Sequence, residues 1–266
     1  MINKRIIYSL LYSNGFFHLS RNFRLQKVGD INWIKSNYGF GEACNSIDEL
    51  IITLVTYNPD KTEYKEYFNN IKVLKKNFFV PLTLGGGIRD FDNAKMCFDN
   101  GADKILINTA FYNNNKLLNK IADKFGAQAN TLMIDYKEIN KRFVSFTECG
   151  KTSAEVINID FIEKINKSDV GDVIFNSIDR DGNAAGLDIE AVKKFTKNLK
   201  KPLLIMGGAG KPEHIINCLN FKKVSGVVTA NLFNFLGDGL NKIRNEAITN
   251  GIPLAKFDTN LINLNV

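Results

Sequence analysis

The chain has 266 residues, 44% of them hydrophobic and 24% charged, with a formal net charge of +7. That composition suits a globular protein with a sizeable core, and no apolar run approaches the roughly 20 residues of a membrane span. The lysines are spread along the chain without a basic-aromatic block, so the positive balance does not read as a nucleic-acid surface.

In chain order, strand-like apolar runs are predicted at Arg5–Leu11, Glu49–Val55, Phe79–Leu84, Lys104–Ile107, Thr131–Asp135, Asp172–Ser177, Pro202–Met206 and Gly226–Ala230. Most are near-continuous rather than alternating, the pattern of parallel strands covered by helices on both faces. Helical stretches lie between them, so the expected fold is an α/β (β/α)8 barrel. An open doubly wound sheet is the alternative. No proline- or serine-rich linker divides the chain, and residues 1–266 are expected to form one barrel domain. Two connections are longer than a barrel needs. Tyr12 to about Asp30 is expected to be a loop carrying His18, Arg21, Arg24 and Lys27, and Lys137 to about Thr152 a small hairpin. Both follow strands at the C-terminal face, where barrel active sites form.

One stretch is written twice. Residues 81–111 read PLTLGGGIRDFDNAKMCFDNGADKILINTAF, and residues 202–233 read PLLIMGGAGKPEHIINCLNFKKVSGVVTANLF. Each runs strand, glycine turn, helix, strand and polar end. Gly85 to Asn108 is 23 positions and Gly207 to Asn231 is 24. The duplication makes the barrel two half-barrels, and strands two and six agree by opening on Glu49 and Asp172. A glycine turn leading into a helix N-terminus presents backbone N–H groups suited to phosphate, so two anion sites are expected.

Other candidates are weaker. Cys44, Cys97, Cys149 and Cys218 are scattered, without a CxxC pair or a histidine at ligand spacing. They read as reduced thiols of a cytoplasmic protein, with no metal site and no cofactor. The N-terminus is basic but lacks a signal-like cleavage site. His18 stands near the barrel mouth, where it can touch a ligand. His214 is expected to cap or to lie on the surface. Thr152 and Ser153 lack a histidine–acid arrangement, so a nucleophilic triad is not expected.

The segments KRII, DELI, LGGGIRDF, GADKILINTA, MIDYK, FTECGK, SIDRDG and GGAGKPEH, in this order from Lys4 to Phe233, closely resemble the cyclase subunit of imidazole glycerol phosphate synthase. The resemblance implies a (β/α)8 barrel that binds a ligand with a phosphate at each end. It also implies a glutaminase subunit on the opposite, N-terminal face, with ammonia passing through the barrel. One phosphate would sit at Gly87, Asn108 and Thr109. The other would sit at Gly182, Gly208 and Asn231, where the family prefers serine at the last position. Arg5, Glu49, Lys104 and Asp172 would form the charged ring at the ammonia entrance, with Asp103 beside it as a glutaminase contact. The family uses two aspartates as general acid and base. Asp135 matches the one on strand five, whereas the strand-one position is Leu11. A lysine position eight residues on is Leu19, and an aspartate position ending strand two is Leu54. Asp179 or Asp181 is a possible replacement carboxylate. Loss of three polar groups at one end of the site resembles paralogues found with surface-polysaccharide genes, where barrel and glutaminase supply ammonia to a sugar amidotransferase. A cyclase of histidine biosynthesis and a non-catalytic ammonia-channelling scaffold are the alternatives.

Overall fold

The computed structural model describes residues 3–37, 46–76, 79–230 and 239–255; Cys44, Asn231 and the end of the second repeat lie outside them. Eight parallel strands close into a barrel: β1 (Arg5–Ser13), β4 (Glu49–Leu54), β5 (Leu82–Gly85), β6 (Lys104–Ile107), β7 (Asn130–Ile139), β10 (Asp172–Ser177), β11 (Leu203–Met206) and β12 (Val224–Thr229). β10 pairs with both β7 and β11, and β12 pairs with β1, so the ring has no free edge. The eight runs expected from the sequence are these eight strands.

Alternation along each strand sorts side chains to two cores. Ile7, Ile51, Leu106, Met133, Ile174, Leu204, Met206 and Val228 fill the barrel interior. Their neighbours, such as Ile6, Leu50, Leu84 and Val227, belong to the larger cluster between the strands and the helices. The helices start where their caps dictate. Asp60, Asp90 and Asn158 each accept from the backbone N–H three residues on. Pro212 opens the helix Pro212–Asn220, a position where its missing N–H is harmless.

The expected loop between Tyr12 and Asp30 is instead built of regular elements. β1 continues to Ser13, and β2 (Phe16–Arg21) turns back on it and pairs with β3 (Arg24–Gly29). The helix Ile31–Asn37 follows. The reason is turn chemistry: Asn14-Gly15 and Asn22-Phe23 have positive φ at both central positions, the two-residue geometry that matches strand twist. After β7 the chain makes β8 (Arg142–Thr147) and β9 (Thr152–Val156), the former joined through a similar Asn140-Lys141 turn. This agrees with the expected hairpin and extends it by a strand. Both antiparallel extensions stand at the C-terminal ends of the barrel strands.

Candidate functional site

A cavity of about 410 Å³ opens at the C-terminal face. Asp135, on β7, is buried in its wall. Its Oδ1 accepts from Asn176 Nδ2 at 2.8 Å and its Oδ2 from Asn108 Nδ2 at 2.9 Å. Burial pushes this carboxyl up to about 7; the Asn176 bond acts against the rise and the charge of Asp181 adds to it. A carboxyl poised near neutrality is suited to take or give a proton.

The opposite wall has no acid on β1. Leu11 and Leu54 line the cavity together with the hydroxyls of Ser9, Ser13, Thr53 and Thr56. Ser13 and Thr56 share a hydrogen bond of 2.7 Å. Leu19 lies on β2, opposite Gln26, and is not part of the lining. Of the two candidate replacement carboxylates, Asp181 reaches the cavity and Asp179 does not. Asp181 accepts from the Ser20 hydroxyl and from Phe23 N–H, and burial raises its pKa. Asp179 accepts from Glu138 N–H at 3.0 Å.

The first glycine turn borders the cavity. Gly87, Asn108 and Thr109 all line it, with Arg89 at the rim paired to Glu148 at 3.6 Å. Thr109 Oγ1 accepts from Glu148 N–H at 3.3 Å. The side of Gly87 that would carry a Cβ is occupied by the Tyr64 hydroxyl, which donates to the Gly87 carbonyl. At the second turn, Gly208 accepts from Gly186 N–H, and Gly182 is packed under the β2–β3 turn, 2.2 Å from Ser20 O to where a Cβ would stand. Asn22 fastens that turn through bonds to the Ile178 and Asp179 carbonyls and to Asp181 O. Neither Gly182 nor Gly208 lines the cavity.

The ring residues meet at the opposite end. Arg5 holds Asp172 through two bonds, 2.6 and 3.0 Å, and Glu49 through one of 3.3 Å. Lys104 Nζ bridges Glu49 at 2.9 Å and Asp172 at 3.0 Å. Thr83 donates to the remaining Glu49 oxygen at 2.6 Å. Two cations and two anions therefore close the floor. Burial pulls the Asp172 pKa up, but Arg5 and Lys104 outweigh it and hold the group ionised below its usual value. Asp103 caps the start of β5 by accepting from Leu82 N–H.

His18 contacts the Phe16 carbonyl through Nδ1 at 3.0 Å, has its pKa lowered by burial, and is not in the cavity lining. His214 Nδ1 accepts from Gly210 N–H, just ahead of the helix Pro212–Asn220. Thr152 and Ser153 are exposed on β9. Among the described residues no group of three or more His, Cys, Asp or Glu could hold a metal, and no helix is long and apolar enough to cross a membrane. Asn176, which nothing in the sequence reading singled out, and Cys149, read there only as a reduced thiol, also line the cavity. Asn176 had a readable signal: in Asp172–Ser177 it is a polar residue at an inward-facing alternate position.

A closed (β/α)8 barrel with a buried acid at its C-terminal mouth and a paired charge ring at its floor has the architecture that enzyme barrels use, which build their sites at that end. Residues 46–237 match the family described as histidine biosynthesis protein. The chain is 37% identical to a protein provisionally named imidazole glycerol phosphate synthase subunit hisF2 from Parasynechococcus marenigrum, over 93% of this chain and 91% of the other. It is 33% identical to imidazole glycerol phosphate synthase subunit HisF of Saccharolobus solfataricus, over 92% and 94%. With the HisF of Sulfurisphaera tokodaii the identity is 35%, over 91% and 94%. The chain belongs to this histidine-biosynthesis family, among its HisF-like cyclase subunits.

Proposed function

We propose that this barrel is the ammonia-receiving subunit of a cytoplasmic glutamine amidotransferase complex whose acceptor is not the histidine intermediate. Its role in that reading is to supply nitrogen for amidation of a sugar in surface-polysaccharide synthesis, together with a sugar amidotransferase. The observation that carries it is Leu11. Toward the C-terminal end of β1, in the lining of the same cavity as Asp135, stands a side chain that can neither accept a proton nor bond an amine, and Leu54 is also in that lining. General acid–base catalysis by a carboxylate pair needs both members, and one positioned group is typically worth 10²–10⁴-fold.

In this reading a glutaminase docks on the N-terminal face, with Asp103 among its contacts. Ammonia enters past the ring of Arg5, Glu49, Lys104 and Asp172, where Lys104, held by its ammonium alone, is the side chain able to swing aside. The interior beyond is apolar, and an apolar passage favours neutral ammonia over ammonium, which would have to be desolvated as an ion. The nitrogen then reaches Asp135. A phosphorylated ligand would use Gly87, Asn108 and Thr109 at one end and Gly182, Gly208 and Asn231 at the other.

The deciding experiment is an ammonia-dependent cyclase assay on the histidine intermediate, paired with a pull-down of the glutaminase encoded nearby. The expected result is glutaminase binding without cyclase turnover. Turnover at an ordinary enzyme rate of about 1 s⁻¹ or more would overturn the reading. In that event the second reading, a histidine cyclase working with Asp135 and Asp181, takes its place. What favours that second reading is that Asp181 shares the cavity with Asp135 and also has a raised pKa. A scaffold without chemistry of its own is the third, and the near-neutral Asp135 weighs against it.

A further inference from the structure

A carboxylate stands behind the wall that lacks one. Glu63, in the first turn of the helix Lys61–Lys75, is half-buried, and none of the ion pairs among the described residues includes it. Its Oε1 accepts from Asn14 N–H at 2.9 Å and from the Thr56 hydroxyl. Thr56 Oγ1 lies 2.7 Å from Ser13 Oγ, and Asn14 Nδ2 donates to Ser13 Oγ at 3.0 Å. A hydroxyl has one proton to donate and two lone pairs. Thr56 spends its proton on Glu63, so Ser13 must spend its own on Thr56. Beyond Asn14, Ser13 then has only a lone pair to offer. One ionised carboxylate thus sets the direction of the whole chain. The other ionisable groups nearby are engaged elsewhere: Asp60 accepts from Glu63 N–H, Tyr64 donates to the Gly87 carbonyl, Tyr12 accepts from Asn70, and Glu66 faces the Gly15 turn.

The chain ends at the cavity. Ser9, Leu11 and Ser13 follow Ile7 on the inward face of β1 and line it, whereas Tyr8, Leu10 and Tyr12 pack outward under the helices. Thr56 is in the same lining. We propose that Ser13 is a specificity-determining acceptor, its polarity fixed by Glu63 through Thr56, and that the ligand presents a hydroxyl or amine hydrogen to it. The proposal rests on the phosphorylated-ligand reading above, and it names the group that the ligand carries away from its phosphate. A hydroxyl polarised by a carboxylate behind it accepts more strongly than an isolated serine, and a ligand with only acceptors at that point is rejected. Ser13 stands two residues beyond Leu11, about 7 Å further along the strand. It therefore engages a different ligand atom from the one that an acid at position 11 would reach.

The test compares two probes, 5-hydroxypentyl phosphate and n-pentyl phosphate, which differ by one terminal hydroxyl. β1, β4 and β5 are neighbours, so Ser13 and the Gly87 turn lie roughly two strand spacings apart, about 10 Å, which five carbons span. The full-length protein is labelled with ¹³C at its aspartate and glutamate carboxyls. The Asp135 resonance reports occupancy of the cavity, and the Glu63 resonance reports engagement of the chain. In the wild-type protein both probes should shift Asp135 saturably, and only the hydroxylated one should shift Glu63. Thr56→Val keeps the shape and cuts the chain. It should lower the ratio of hydroxyl-probe to alkyl-probe affinity by about tenfold, equivalent to about 1.4 kcal/mol. Thr56→Ser should restore that ratio. A wild-type ratio in the folded valine variant, or in Ser13→Ala should the valine variant fail to fold, overturns this proposal alone. So does a folded Thr56→Ser protein without the preference, or a Glu63 resonance that answers both probes alike. Absence of a saturable Asp135 shift with either probe overturns the phosphorylated-ligand reading along with it.

Discussion

Arg5 and Asp172 meet side-on across the barrel floor, NH2 to Oδ1 at 2.6 Å and NH1 to Oδ2 at 3.0 Å. This fork-to-fork geometry is the most directional ion pair side chains can make. It fixes Asp172, while Lys104 is bonded to the same carboxylate and to Glu49 through its ammonium alone. The ring thus combines one two-point contact with single-point ones. Lys104→Ala should lower glutamine-dependent nitrogen transfer by about tenfold, since it leaves a carboxylate charge without its counter-ion at the entrance. Free ammonium can enter from the open C-terminal face, and its use should change little. Measuring both nitrogen sources on one preparation decides the matter, and an equal loss with the two would refute a gating role.

Asp135 gives the fold a pH dependence opposite to that of most carboxylates. Its folded-state pKa is raised from 3.8 to about 7, so between those values the folded protein holds a proton that the unfolded chain has released. Stability contributed by this site is full at low pH and falls as pH rises through that window, by an amount on the order of 4 kcal/mol. Asp135→Asn removes the ionisation. Its melting temperature should therefore exceed that of the wild type at pH 8 and lose the advantage near pH 5, while nitrogen transfer is abolished. A variant less stable than the wild type at both values would show that the carboxylate is better solvated than its burial implies.

The eight barrel strands were legible because each is a run of buried apolar residues, and burial on both faces is what such runs encode. The charge ring was legible through the resemblance, and closure of the barrel brings its members together because Arg5, Glu49, Lys104 and Asp172 each open a strand. The β2–β3 hairpin was not. His18, Arg21, Arg24 and Lys27 carry the polarity of a loop, and the signals that override it are two turns of positive φ, one of them an asparagine–glycine pair. Asp135 was found through the resemblance of MIDYK to the family's strand-five segment, but its two carboxamide partners come from β10 and from the end of β6. Such a grouping exists only once the sheet closes.

Arg244 anchors the last described helix, Gly239–Thr249, to the barrel floor. It is 3% exposed, pairs with Asp48 through bonds of 2.7 and 3.0 Å, and donates to the Ser46 and Ala255 carbonyls. Asp48 in turn accepts from Ile6 N–H, so the pair ties that helix to β1. Removing one partner of a buried, hydrogen-bonded pair strands the other, at a cost of about 3–5 kcal/mol. Arg244→Ala should lower the unfolding free energy by that amount in a urea titration without altering the Asp135 resonance. A loss within the ordinary surface range of about 0.5 kcal/mol would mean that the pair is solvated.

Leu11→Asp tests whether the missing carboxylate is what separates this chain from the cyclases it resembles. Leu11 is half-buried, and on β1 it pairs with His18 on β2 and Thr53 on β4, so an aspartate there would face the cavity rather than the apolar core. Its cost to the fold should be small for that reason. A second acid in the same cavity would also raise the Asp135 pKa further, since two carboxylates sharing a site disfavour double ionisation. The pair would then have one protonated and one ionised member near neutral pH, the arrangement that ring closure with simultaneous proton gain and loss requires. Ammonia-dependent cyclase turnover should rise from background by about 10²-fold, the lower end of what a positioned acid or base contributes. It should stay well short of about 1 s⁻¹, because Leu54 still stands in the lining where an aspartate often ends the strand, and Leu19 replaces the family's lysine on the neighbouring hairpin. The bell-shaped pH profile of the gained activity should show one limb near the raised Asp135 value. If the folded variant gains nothing, the difference from the cyclases lies in how the ligand is held rather than in the acid–base pair.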